Sequence, residues 1–148
     1  MVTNIYKTLK DKTVLITGAG SGIGSALAKR MGMLGVKVIC VARTLIDINS
    51  VANSINENGG YALAIKADAT NEKQMKVLHD KIKDKFLGLD YAFLNAGGNI
   101  QQQTIEKSDV KEWKEAVDIN MLTFFLGVKI ATPLMRINGG GRIILTGS

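Results

Sequence analysis

The chain has 148 residues, a single cysteine and a formal charge of +6, and 46% of it is hydrophobic. That length and apolar content give one domain with a sizeable core and exclude a disordered chain, and a lone cysteine excludes an internal disulfide. The positive charge suits a phosphate-bearing ligand but does not argue for nucleic acid, since the lysines are spread over helix faces and the aromatics form no stacking cluster.

Residues 1–11 are polar and aperiodic, which predicts a surface lead-in, and nothing there has the pattern of a signal peptide. Val14, Leu15 and Ile16 then make a continuous apolar run, as expected of a buried parallel strand. Gly18, Gly20, Gly22 and Gly24 follow at once, with Ser21 and Ile23 between them, and a helical stripe begins at Ile23 and continues through Leu27, Met31 and Leu34 to Gly35. Strand, glycine turn and helix start form a corner able to cradle phosphate: the backbone can turn tightly, and the helix N-terminus presents free N–H groups and positive dipole. The spacing is Thr-Gly-x-x-x-Gly-x-Gly over Thr17 to Gly24, not the stricter Gly-x-Gly-x-x-Gly, because Ser25 stands where a third glycine would fall.

Val36 to Ala42 reads as a second strand, with Cys40 as a buried structural thiol in it. Ile48, Val51, Ala52 and Ile55 mark a helix that Asn58, Gly59 and Gly60 terminate, and Tyr61 to Lys66 gives a third strand. Asn71 and Gln74 have the spacing of a capping box at the head of a helix whose inner face is Met75, Leu78, Ile82 and Phe86. Its lysines form a solvated outer face, and His79 has no sequence partner that would make it catalytic. Leu89 to Leu94 is a fourth strand, ending in Asn95, Ala96, Gly97 and Gly98. After a polar loop, Ser108 or Asp109 caps a long helix with an apolar stripe of Val110, Trp113, Val117, Met121, Phe124, Val128 and Met135, in which Trp113 serves as core or interface. The stretch from Met121 to Met135 is interrupted by Lys129 and too short to span a membrane, so a soluble, cytoplasmic protein is expected. Gly139 to Gly141 ends the helix, and Arg142 to Thr146 makes a fifth strand. Strands alternating with helices imply right-handed crossovers and a parallel sheet, an α/β chain of the doubly wound Rossmann type in one domain.

With those elements placed, the chain resembles the short-chain dehydrogenase/reductase family along nearly its whole length. The resemblance rests on Thr17 to Gly24, on Asp68 after the third strand, on Asn95-Ala96-Gly97 as the end of Asn-Asn-Ala-Gly, on Asn120 in the long helix, and on Gly141 to Ser148. It implies that Gly18, Ser21, Gly22, Ile23, Gly24, Arg43, Asp68, Ala69, Asn95, Ala96 and Gly97 hold a nicotinamide dinucleotide, with Asp68 on the adenine amino group. It also implies catalytic roles for Ser148, which polarises a carbonyl oxygen, and for Asn120, which holds a water. Leu94 departs from the family pattern, which has an asparagine there, and Gly147 stands where a serine is frequent. The family's Tyr-x-x-x-Lys, which handles the proton, belongs after the serine, and the sequence stops at Ser148; the expectation is the N-terminal portion of a longer enzyme, a domain incomplete at its C-terminal end.

The expected reaction is hydride transfer between nicotinamide and a carbonyl or secondary alcohol of a small molecule; the alternative is a non-catalytic nucleotide-binding or interaction module. The end of the second strand carries no acid and has Arg43, which can pair with a ribose 2′-phosphate, so NADP is expected over NAD. By resemblance alone, the long helix packs between subunits of a homodimer or homotetramer. No metal is expected.

Overall fold

The computed structural model describes residues 8–98 and 104–147. Among the described residues, five parallel strands lie in the order β3-β2-β1-β4-β5. They are β1 (Thr13–Thr17), β2 (Lys37–Ala42), β3 (Tyr61–Lys66), β4 (Tyr91–Leu94) and β5 (Arg142–Leu145). Between them run α1 (Gly22–Met33), α2 (Leu45–Glu57), α3 (Glu72–Phe86), α4 (Val110–Val117) and α5 (Thr123–Ile137). β1 is the centre: Thr17 is in register with Val41 on one side and with Leu94 on the other. The chain leaves β1 first toward β3 and then crosses back to β4, so the strand order reverses between β1 and β4. Ligand crevices in such sheets open at that reversal, beyond the carboxyl ends of the strands.

β1 is buried along its whole length because both its faces are covered. Val14 and Ile16 point into a core with Ala28, Ile48, Val51 and Ile55 of α1 and α2. Leu15 points the other way, into a core with Met75, Leu78 and Ile82 of α3 and Leu126, Ile130 and Leu134 of α5. Helices on both faces of a parallel sheet make the doubly wound arrangement anticipated from the sequence.

The helices differ from expectation in instructive ways. α1 buries Gly24, Ala28 and Gly32, and the larger residues of its stripe lie at the margin, with Ile23 64% exposed. The small residues allow close approach: a Cβ on Gly32 would collide with Ile55 of α2. The long helix is broken by a π turn at Asp118–Leu122, and its buried face runs through Thr123, Leu126, Ile130 and Leu134. Val110, Trp113 and Met121 of the expected stripe are exposed, and α4 buries nothing. A π turn widens the helical repeat, so one stripe cannot be extrapolated through it. Counted through that turn, Val110–Ile137 is 28 residues long with a mean hydropathy of 1.3 in its most apolar window. Length therefore does not separate it from a membrane span, contrary to the sequence argument; what it does is pack α5 against the sheet.

The caps redistribute as well. Asn71 accepts from the Gln74 backbone N–H at 3.1 Å, but the Gln74 side chain turns instead to the Asp68 N–H at 2.8 Å. The reciprocal capping box forms at Asp109 and Glu112, which settles the choice between Ser108 and Asp109. β2 begins at Lys37 and β4 at Tyr91, later than the apolar runs suggested, although Val36 and Leu89 are both fully buried. The end of the polar lead-in is tied down, with the Asp11 N–H donating to the Gly35 carbonyl at 3.0 Å.

Candidate functional site

At the carboxyl ends of β1, β2, β3 and β4 the loops enclose a cleft of about 490 Å³. Its floor is the glycine corner. Gly18 and Gly22 have φ of +67° and +50°, a left-handed backbone that favours glycine. A Cβ on Gly18 would press on Ala96 Cα at 3.2 Å, whereas Gly22 faces open space. Gly24 lies behind the cleft: a Cβ there would collide with the Gly18 carbonyl oxygen, so its lack of a side chain seats the head of α1 on the turn. Ser21 occupies the N-cap without a side-chain capping bond, and the first-turn N–H groups of α1 remain for an anion.

Thr17 joins the first loop to the fourth. Its buried hydroxyl oxygen accepts from the N–H groups of Asn95 and Ala96, both at 3.0 Å. Asn95 Oδ1 accepts from the Thr146 hydroxyl at 3.1 Å, which binds the same loop to the end of β5. On the helical side, Thr123 Oγ1 lies 3.1 Å from the Ala96 carbonyl oxygen. Asn120 makes a reciprocal pair with Gly98, accepting from its N–H at 3.2 Å and donating to its carbonyl at 2.9 Å. Its Nδ2 also donates to the Ala116 carbonyl at 3.0 Å. The loop after β4 is thus clamped from three elements, and the π turn is what carries Asn120 to it.

Asp68 and Arg43 stand at the far end of the cleft, after β3 and β2. Burial would raise the Asp68 pKa, but the hydroxyl and N–H of Thr70, both on Oδ1, and the nearby Arg43 guanidinium outweigh it and hold the carboxyl below its ordinary 3.8. The Thr70 contacts form an Asx turn, which orders the strand end.

Of the residues expected at the site, Gly18, Ser21, Gly22, Ile23, Arg43, Asp68, Ala69, Asn95, Ala96 and Gly97 all line this one cleft. Gly24 and Asn120 support its wall and do not line it. Ser148 lies outside the described residues. Sequence reasoning missed Thr44, Asp47, Thr70, Ile119 and Thr123, which also line the cleft. Thr70 could have been found as the partner of an Asx turn two residues after Asp68, and Thr123 as the residue one helical turn beyond Asn120. Among the described residues no cluster of side chains is suited to a metal ion.

A glycine corner at the switch point of a five-stranded parallel sheet defines a Rossmann-type α/β protein. The family model described as short chain dehydrogenase matches residues 12–148, and the chain belongs to that family. A 3β-hydroxysteroid dehydrogenase from Eggerthella lenta is 33% identical over 128 residues, covering 86% of this chain and 49% of the relative. The solved 7α-hydroxysteroid dehydrogenase complexed with NADH and 7-oxo glycochenodeoxycholic acid is 31% identical, with a TM-score of 0.88 over 95% of this chain and 54% of that one. A metagenomic short-chain oxidoreductase in complex with NADP is 25% identical, again with a TM-score of 0.88, over 95% of this chain and 64% of that one. The chain spans about half the length of the curated relatives it matches, 56% and 49% for two of them.

Proposed function

We propose that this chain is the dinucleotide-binding domain of an NAD(P)-dependent oxidoreductase that moves a hydride between the cofactor and a carbonyl or secondary alcohol of a small molecule. The observation that carries this reading is the convergence of the glycine corner, Asp68, Arg43 and the clamped Asn95 loop on a single cleft. The cleft fits a dinucleotide: open space lies over Gly22, where a side chain would be strained, and uncapped N–H groups point there from α1. The pyrophosphate belongs on Gly18 to Ile23, the adenosine half against Asp68, Ala69 and Asn95, and the nicotinamide toward Gly97 and the π turn.

When bound, the nicotinamide gives or takes the hydride. The chain's own part is to bind and orient. Thr17 and Thr123 fix the loop that forms one wall, and the Asn120 side chain is spent on Gly98, so Asn120 acts through position. Ser148 is assigned to the substrate oxygen and the Tyr-x-x-x-Lys pair to the proton, both by family resemblance. A neutral phenol near its ordinary pKa of about 10 is a poor base, and a neighbouring lysine corrects that. The non-catalytic alternative has no observation in its favour.

The finer reading is NADP. Arg43 at the exit of β2 can pair with a 2′-phosphate, and one structural neighbour holds NADP while another holds NADH. Titration of the full-length protein with NADPH and NADH tests it: tighter NADPH binding, lost selectively in Arg43→Ala, is expected, and equal loss of both cofactors overturns it. The exposed apolar side chains of Val110, Trp113, Met121 and Phe125 support a homodimer or homotetramer, to be read by light scattering. A cytoplasmic location belongs to the same proposal.

A further inference from the structure

The cofactor cleft contains a charge that the glycine motif does not account for. Asp47 lies in the first turn of α2, after the N-cap Thr44, and lines the cleft together with Arg43. An acid in that turn is favoured by the helix dipole whatever else it does. Two observations take it further. Gly20 stands at a free position of the motif, yet a Cβ there would lie 3.0 Å from Asp47 Cβ, so the bare backbone at 20 is what admits Asp47 to the edge of the phosphate corner. Among the described residues, moreover, the Asp47 side chain has no hydrogen-bond or ion-pair partner, and the residue lines the cleft.

We propose that Asp47 is a specificity-determining residue that restrains the preference for a 2′-phosphorylated dinucleotide which Arg43 creates. This rests on reading the cleft as a dinucleotide site. A 2′-phosphate brings negative charge to the end of β2, where Arg43 attracts it and Asp47 repels it. A plain ribose brings a hydroxyl instead, to which the carboxylate is no obstacle and can serve as an acceptor. The pair leaves a modest ratio between the two cofactors, in place of the steep preference an arginine alone would give. The acid that normally makes this choice ends the second strand; here it is supplied one helical turn later.

The test uses the full-length protein, with NADPH and NADH each titrated against wild type, Asp47→Asn, Asp47→Glu and Arg43→Ala. Asp47→Asn is expected to tighten NADPH by about three- to tenfold, the effect of removing one partly screened charge, with NADH affinity changing by no more than about twofold. Asp47→Glu is expected to keep the wild-type ratio, and the gain in Asp47→Asn is expected to shrink in about 1 M salt. An unchanged NADPH-to-NADH ratio in Asp47→Asn, or an equal weakening of both with a lowered Tm, overturns the assignment and returns Asp47 to a helix-terminus role. If Asp47→Asn does not fold, Asp47→Ser is read by the same ratio. Failure of wild type to bind either cofactor overturns the cleft reading, and this inference with it.

Discussion

Leu94 packs its branched end onto Gly127, so closely that a Cβ built on Gly127 would lie 2.7 Å from Leu94 Cδ1. Leu94 is the residue that departs from the family's Asn-Asn-Ala-Gly, and the structure shows what takes the place of an amide: a fully buried apolar contact between β4 and α5. Leu94→Ala is expected to destabilise by about 2–5 kcal/mol, through lost burial and the cavity left behind. Gly127→Ala improves helix propensity by about 1 kcal/mol but overpacks the contact by about 1–3 kcal/mol, for a small net loss. Alanine at 94 removes the obstruction, so the double variant should lose less than the sum of the two. Urea unfolding of all four proteins measures this, and strict additivity would mean that the two residues do not interact.

Thr17 is the hydroxyl on which the wall of the cleft hangs. Thr17→Val keeps the shape and the β-branch but leaves the Asn95 and Ala96 N–H groups without their acceptor. A fully buried unsatisfied donor costs about 1–3 kcal/mol, and these two are half-buried at the cleft wall, so the low end of that range applies to each. The expected outcome is a loss of stability of that order together with weakened dinucleotide binding, while Thr17→Ser stays near wild type. A Thr17→Val protein that binds NADPH as wild type does would show that the loop is held by its other two clamps.

How much of this could be read in the chain follows from the range of the interactions involved. The strands and the glycine corner are local: β1 announces itself because it is buried on both faces, and Gly18 and Gly22 because their backbone needs no neighbour to explain it. Asp68 and Asn95 were singled out by the family resemblance and Arg43 by its place at the end of the second strand; the parallel sheet, which brings every strand's carboxyl end to one side, puts all three at one cleft. What failed was non-local or irregular. The buried face of α1 is made of Gly24, Ala28 and Gly32, which have no hydrophobic signal of their own, since close approach and not side-chain size defines it. The exposure of Trp113 and Met121 depends on a π turn that shifts the helical phase. Asp47 was hidden because its entry to the cleft depends on the absence of a side chain at Gly20, a contact between residues 27 positions apart.

Gly24 separates packing from ligand contact. Gly24→Ala puts a methyl group against the Gly18 carbonyl oxygen, a backbone atom that cannot swing aside. The head of α1 must then move off the turn, at a cost of about 1–3 kcal/mol or more. Dinucleotide affinity is expected to fall at least about tenfold, although Gly24 does not line the cleft. Calorimetric titration checks this, and intact binding with a lowered Tm would confine Gly24 to packing. Gly22→Ala, facing open space but at positive φ, should lose affinity with a smaller change in Tm.

Cys40 is fully buried between the two helical layers, and burial pushes its thiol up to about 12. Thiolate is the reactive form. Native protein at pH 8 should therefore react with an aromatic disulfide reagent at least about a hundredfold more slowly than the same chain in guanidinium, since both access and ionisation are suppressed. Prompt reaction of Cys40 in the native state would show that the β2 core opens on the assay timescale.

Asp68 supplies a prediction in pH. Its folded pKa is depressed below 3.8 because hydrogen bonds from Thr70 and the charge of Arg43 outweigh the opposing effect of burial. A depressed carboxyl contributes stability that is fully present above the unfolded pKa and is lost as pH falls through the folded one. The order around Asp68 should therefore persist at pH 5 and weaken only below about pH 4, the ordinary range for aspartate. Thr70→Val removes the hydroxyl bond but not the backbone one, and Arg43→Ala removes the charge; each should move the Asp68 titration upward, the first by more. Carboxyl carbon chemical shifts followed from pH 6 to pH 2 read this directly for the one residue. A wild-type Asp68 titrating at or above 3.8, or a Thr70→Val variant with no upward movement, would show that the Asx turn does not hold this carboxylate in solution.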